Sequence, residues 1–232
     1  MTVYAIGDLH LPAGNDKPMD VFGAHWERHF ERICEDWRAR VGNNDLVLLP
    51  GDISWAMKLD DARQDLNAIG LLPGVKIITR GNHDYWWNSI SRVREALNGN
   101  TYALQNDAIR VKDVLVAGTR GWILPAEGVQ EDDVRIFNRE CVRLRLSLEK
   151  ARTLDANAKL ICMLHYPPLT DSVRDTEMTR ILQEFGVDHV VYGHLHGSAL
   201  FGAFRGEHCG IDYHQVSSDG LGFRLHKVCE IE

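Results

Sequence analysis

Five short polar clusters, each closing a run of apolar residues, constrain this chain more than any other feature: Asp8-Leu9-His10, Gly51-Asp52, Gly81-Asn82-His83-Asp84, His165 and Gly193-His194-Leu195-His196. The runs ahead of them, 2–6, 45–49, 75–79, 159–164 and 188–192, are short and rich in Val, Ile and Leu, as strands buried on both faces are. Side chains just past the C-terminal ends of strands in an α/β sheet converge on one rim, so clusters far apart in sequence are expected to meet in space. Within Asp8-Leu9-His10 and His194-Leu195-His196 the polar residues are two apart. An extended backbone would point them the same way and turn the leucines back to packing.

At 232 residues and 44% hydrophobic content, the chain can bury one full core. A single domain over 1–232 is expected, with a helical insert at about 131–156. The formal net charge of −7 argues against a protein that grips nucleic acid through nonspecific phosphate contacts, which need a basic face. A small phosphorylated partner stays compatible with it. Cys34, Cys141, Cys162, Cys209 and Cys229 are widely spaced without a CxxC pair, a pattern of reduced thiols rather than a disulfide framework. The chain enters an apparent strand at once, and no segment approaches the ~18 apolar residues of a membrane span. Cytoplasmic residence without membrane attachment is the expectation.

Between the clusters, 11–17 reads as a loop containing Pro and Gly, and 21–40 as a helix with a core-facing stripe of Phe22, Trp26, Phe30, Ile33 and Trp37. Helices are also predicted over 60–71, 87–97, 132–155 and 176–185, and a further strand over 114–119. Tyr166-Pro167-Pro168 stops helix formation after His165. From Ser198 onward, Gly-punctuated segments at 210–216 and 222–229 read as strands of antiparallel hairpins. An α/β chain with two mixed sheets packed face to face between helices accommodates this order.

Imidazole nitrogens and carboxylate oxygens suit first-row divalent metals, and the clusters contain no thiolate that would favour a closed zinc site. Two dications about 4 Å apart repel by ~17 kcal/mol at an effective dielectric of about 20, so a shared anion between them is expected. Asp52, a lone carboxylate on a glycine turn, is the candidate bridge. Such a centre attracts phosphate and activates water for in-line displacement. Asn82 and His83 are adjacent and should diverge, one toward a metal and the other toward substrate. His83 is then the candidate general acid, with Asp84 placed to orient it.

The ordered set D-x-H, G-D, G-N-H-[DE], a lone His and G-H-x-H resembles the calcineurin-like metallophosphoesterase superfamily and spans Asp8 to His196. The resemblance implies a four-layer α/β/β/α sandwich. It implies a binuclear site in which Asp8, His10, Asp52 and His196 hold one metal and Asp52, Asn82, His165 and His194 the other. Mn²⁺ is the first candidate, with Zn²⁺, Fe and Co²⁺ also compatible. A hydroxide held by the metals would attack the phosphoester of a small cytosolic molecule, a nucleotide among the candidates, with His83 assisting the leaving group. Departures narrow the branch. Trp55 stands where purple acid phosphatases carry a tyrosine ligand. Gly51-Asp52-Ile53-Ser54 lacks the continuation of the serine/threonine phosphatases, and His83 replaces the arginine of the lipid A pathway hydrolases. The small bacterial phosphoesterase and phosphodiesterase branches remain, with monoester and diester substrates both open. A nuclease and a non-catalytic scaffold are the competing readings. The acidic charge opposes the first, and the retained ligands and His83 oppose the second.

Outside the clusters, Arg120 and Trp122 lie on a Gly-flanked turn and are candidates for substrate binding, a guanidinium for phosphate and an indole for a ring; a salt bridge and a packed loop explain them equally well. Asn138 and Arg139 are placed to cap the site from the helical insert. Trp86 and Trp87 either wall the pocket or pack in the core. His25, His29, His189, His208, His214 and His226 read as structural or solvated.

Overall fold

Strand β2 (Leu46–Leu49) is apolar at every position because its two faces meet different layers. Leu46 and Leu48 enter a core that they share with Val114, Val116, Ile161 and Met163 of a second sheet. Val47 and Leu49 enter a separate core under helices. Full burial of each such side chain contributes about 1.5–3 kcal/mol, and the period of two sends the residues of β2 alternately to the two cores.

The computed structural model describes residues 1–13, 19, 23–126 and 128–231. The first half alternates β1 (Thr2–Ala5), α1 (His29–Arg40), β2, α2 (Leu59–Gly70), β3 (Val75–Ile78), α3 (Ile90–Ala96) and β4 (Thr101–Ala103). The second half runs β5 (Ala108–Val111), β6 (Val114–Thr119), α4 (Glu131–Leu154), β7 (Lys159–Leu164), α5 (Glu177–Glu184), β8 (His189–Tyr192), β9 (Gly206–His208) and β10 (Ile211–Gln215). A final strand, β11 (His226–Glu230), returns to the first sheet. The sheets have orders β11-β1-β2-β3-β4 and β5-β6-β7-β8-β10-β9. The first sheet is parallel except for its β11 edge, and the second is parallel at its centre with antiparallel pairs at both edges. Helices α1, α2 and α3 cover the first sheet, and α4 and α5 cover the second. The layers are α/β/β/α.

Several local expectations change. Helix α1 starts at His29 rather than at 21, because Arg28 has φ 52° and the chain before it makes a one-turn 3-10 segment at Ala24–Trp26. Phe22 and most of the loop at 11–17 lie outside the described residues. Helix α3 starts at Ile90 because Trp86 and Trp87 are buried in a preceding turn, their indoles donating to Asp84 and Gln105. Strands β4 and β5 went unanticipated; they are short, and β5 carries no fully buried position. The segments expected to form hairpins separate: β10 runs parallel beside β8, whereas β11 runs antiparallel beside β1 in the other sheet. Strand β10 does pair antiparallel with the short β9 that precedes it.

The helix expected as an insert is the crossover between β6 and β7. Its Phe137, Cys141, Leu144 and Leu148 pack on the second sheet, while Val142 and Leu146 face outward. Lys76 in β3 is buried, yet its ammonium donates to the carbonyls of Gly70, Leu72 and Gly74 at 3.2, 2.7 and 3.0 Å. It thereby satisfies the orphan acceptors after α2. No helix among the described residues is long and apolar enough to cross a membrane.

Candidate metal centre

The five clusters meet at the C-terminal rim shared by the two sheets. Past the ends of β1 and β2 the chains continue side by side, the amides of Asp8, His10 and Leu11 donating to the carbonyls of Gly51, Asp52 and Ile53 at 3.0, 2.9 and 3.0 Å. The backbone there is not extended. Asp8, His10, Asp52 and His194 have φ of 56°, 47°, 52° and 72°, in the left-handed region that side chains other than glycine rarely occupy. Strain of about 1–3 kcal/mol per residue is typical there and persists only where the surroundings over-determine it. The leucines between still turn inward: Leu9 is fully buried and Leu195 packs against the second-sheet core. Glycine is required at 81 and 193, since a Cβ at either would collide with the carboxylates of Asp52 and Asp8 respectively.

Two donor sets result. In the first, His10 Nε2 and His196 Nε2 are 3.4 Å apart, His196 Nε2 is 3.6 Å from Asp8 Oδ1, and His10 Nε2 is 3.8 Å from Asp52 Oδ2. In the second, Asn82 Oδ1 lies 2.7 Å from His165 Nε2 and 2.9 Å from His194 Nδ1, and His165 Nε2 is 3.6 Å from the same Asp52 Oδ2. Asp52 Oδ2 stands between the sets.

Other groups hold the donors in place. His165 Nδ1 donates to the carbonyl of Pro50 at 2.9 Å, which leaves Nε2 with its lone pair toward the cage. His196 Nδ1 donates to Asp219 Oδ1 at 2.9 Å, and Asp219 Oδ2 accepts from the amide of Gly197. The hydroxyl of Ser218 donates to the carbonyl of Asp8. His29 spans the carbonyls of Leu9 and Trp26, as a structural histidine does. Asp84 does not orient His83. Its buried carboxylate accepts from the amides of Asp52, Ile53, Ser54 and Gly81 at 2.8, 2.9, 3.2 and 2.8 Å, clamping the β2 loop to the β3 loop.

The electrostatics fit a cation. Burial, with the Asp8 charge beside it, pushes the Asp52 carboxyl up to about 8. Burial also works against ionised Asp8, but the imidazoles around it, His196 first, hold it below the ordinary carboxylate range. Burial lowers His10 to about 3 and His194 to about 4, leaving neutral imidazoles with lone pairs to offer. Burial opposes a charge on His196 too, yet the carboxylates of Asp219 and Asp8 override it and raise the group to about 10. Carboxylates that demand positive charge among neutral imidazoles suit divalent metal binding. Two overlapping groups, Asp8 with His10 and His196 and Asp8 with Asp52 and His165, bring their ligand atoms within 4.8 Å of one another.

A cleft of about 390 Å³ opens beside the first set, walled by His10, Met19, Trp26, Trp55, His83 and His196. Trp55 stacks on His10 with ring centroids 4.9 Å apart and planes at 23°, and its centroid lies 4.6 Å from that of His83. The His83 amide donates to Asp52 Oδ1 at 2.8 Å, and its Nδ1 is buried without a partner among the described residues. Arg120 and Trp122 do not line this cleft. The Arg120 guanidinium lies over the Trp122 ring at 4.4 Å, and the Trp122 indole donates to Asp133. Asn138 and Arg139 are exposed on α4 and also stay outside the cleft. Asp219, Ser218, His25 and Trp26 escaped the sequence reading as site residues. Only Asp219 carried a signal, an acid in the Ser-Ser-Asp-Gly turn before β11.

An α/β/β/α sandwich with an aspartate–histidine cage at its strand ends is the frame of a metal-dependent phosphoester hydrolase. The family model for calcineurin-like phosphoesterases matches residues 1–198, and the chain belongs to that family. In fold it is similar to the protein of unknown function AQ665 from Aquifex aeolicus, with a TM-score of 0.50 and 15% identity over 97% of this chain and 95% of that one. No curated protein matches it in sequence.

Proposed function

We propose that this chain is a binuclear hydrolase of small phosphorylated molecules, nucleotides among them, with Mn²⁺ as the first metal to test and the cytoplasm as its place of work. The position of Asp52 Oδ2, 3.8 Å from His10 Nε2 in one donor set and 3.6 Å from His165 Nε2 in the other, carries this reading. Asp8, His10, Asp52 and His196 would hold one divalent ion, and Asp52, Asn82, His165 and His194 the other. Bound there, the two ions supply the positive charge that draws a phosphoryl group and activates water.

The chain's own residues do the rest. Pro50 and Asp219 fix the tautomers of His165 and His196, so that each imidazole offers Nε2. The Asp84 clamp and the His83 amide hold the Asp52 carboxylate between the donor sets. His83, on the cleft wall, donates a proton from its ring to the leaving oxygen. Trp26, Trp55 and Met19 exclude water from the organic part of the ester and favour a flat or apolar group. The net charge of −7 disfavours nucleic acid as the substrate.

Purified protein with Mn²⁺ should hydrolyse p-nitrophenyl phosphate or bis-p-nitrophenyl phosphate, and a chelator should stop it. No turnover of either ester by metal-loaded protein would overturn the reading.

A further inference from the structure

A second cavity, of about 110 Å³, lies at the ends of β3 and β6 and collects Arg80, Arg120 and Arg143 around one carboxylate, Glu140. Glu140 is 1% exposed and already satisfied. Arg143 Nη1 donates to its Oε1 at 2.6 Å, and the hydroxyl of Thr119 donates to its Oε2. The other two arginines have no such partner. Among the described residues neither Arg80 nor Arg120 forms an ion pair, and the buried Nε of Arg80 has no hydrogen-bond partner. Arg120 packs one face of its guanidinium on Trp122, which leaves the N–H groups at its edge available.

Guanidinium groups do not discharge in proteins. Three of them against one carboxylate leave two uncompensated positive charges in a partly enclosed space. A network built only to bury Glu140 would be complete with Arg143 and Thr119. The planar fork of Arg matches tetrahedral oxyanions bidentately.

We propose that this pocket binds a phosphate group at a site separate from the aspartate–histidine cage. The pocket abuts the cage from behind: Arg80 precedes Gly81-Asn82, and the Arg120 carbonyl accepts from the amides of His165 and Tyr166, both at 3.0 Å. The phosphate is either free inorganic phosphate or a second phosphate carried by the substrate; only the latter source rests on the hydrolase reading.

Equilibrium dialysis of inorganic phosphate against full-length, chelator-treated protein tests the site without any turnover. One phosphate per chain is expected, with affinity weakened about tenfold or more in both Arg80→Gln and Arg120→Gln. No saturable binding by the unsubstituted chain, or binding by both variants as tight as by the unsubstituted chain, overturns the proposal. Far-UV circular dichroism checks folding, and Arg120→Lys, which keeps the charge but not the fork, should fall between. The source follows from metal-loaded enzyme, through the ratio of kcat/KM for a nucleoside bisphosphate to that for p-nitrophenyl phosphate. A fall of about tenfold in that ratio for Arg80→Gln indicates a substrate-borne phosphate; an unchanged ratio with lost dialysis binding indicates free phosphate.

Discussion

Two groups of histidines share this molecule, and their neighbours make them chemically different. His10, His165, His194 and His196 stand among Asp8, Asp52 and Asp219, where the acids lift His196 to about 10 and the others stay neutral. His189, His214 and His226 form a chain that links β8 and β10 with β11 in the other sheet, with contacts of 3.3 and 2.9 Å. The acids that act on them are few: Asp212, exposed and 3.7 Å from His189, and Asp188 beside His189 in sequence. Burial, then His226 and His189, pushes His214 down to about 4. An imidazole becomes a candidate metal ligand through the carboxylates around it, and without them a chain of histidines is only a pH-sensitive piece of packing.

The largest expected effect comes from removing the anion between the donor sets. Asp52→Asn should cost at least about a thousandfold in turnover, roughly 4 kcal/mol, and reduce bound metal by elemental analysis. Activity within about tenfold of the unsubstituted chain would break the distinction between the two groups. The second group should show itself in stability. A histidine whose folded pKa lies below its unfolded value stabilises the fold above pH ~6.5 and loses that contribution as pH falls toward the folded value, here about 4. Chelator-treated protein should lose about 3 kcal/mol through His214 over that window, and His214→Gln should flatten that part of the curve in urea unfolding at several pH values. If the slopes coincide, His214 is not held neutral.

His83→Ala should slow esters with poor leaving groups about a hundredfold and p-nitrophenyl esters less, as a kcat effect. Equal losses on both would remove the proton-donating role. The smallest effect should be that of Asp219→Asn, which weakens the grip on His196 Nδ1 and should lower metal affinity about tenfold in a competition titration with a chelator. Unchanged affinity would mean that Asp219 only packs.

Much of this was legible before the fold. Short strands rich in Val, Ile and Leu announced a sheet buried on both faces, and polar residues at their ends announced a rim. Directions were less legible. The expectation that Asp8 and His10 share a face through an extended backbone reached the right convergence by the wrong route, since both residues are left-handed and are held there by pairing with the β2 loop. Asp84 looked like a partner for His83 because it is adjacent, but four backbone amides claim it. Arg120 and Trp122 were read as facing substrate but lie outside the cleft, because a turn residue's direction depends on the helix packed beside it. Strand β11 joins the sheet of β1 through a pairing between opposite ends of the chain, which no local pattern encodes.

The proposed function stands on two metal ions sharing Asp52. Elemental analysis of Mn²⁺-loaded protein, paired with phosphoester turnover before and after chelation, tests it most directly. Two metal ions per chain are expected, with turnover that chelation abolishes and Mn²⁺ restores. A single ion per chain, or turnover indifferent to the chelator, would contradict it.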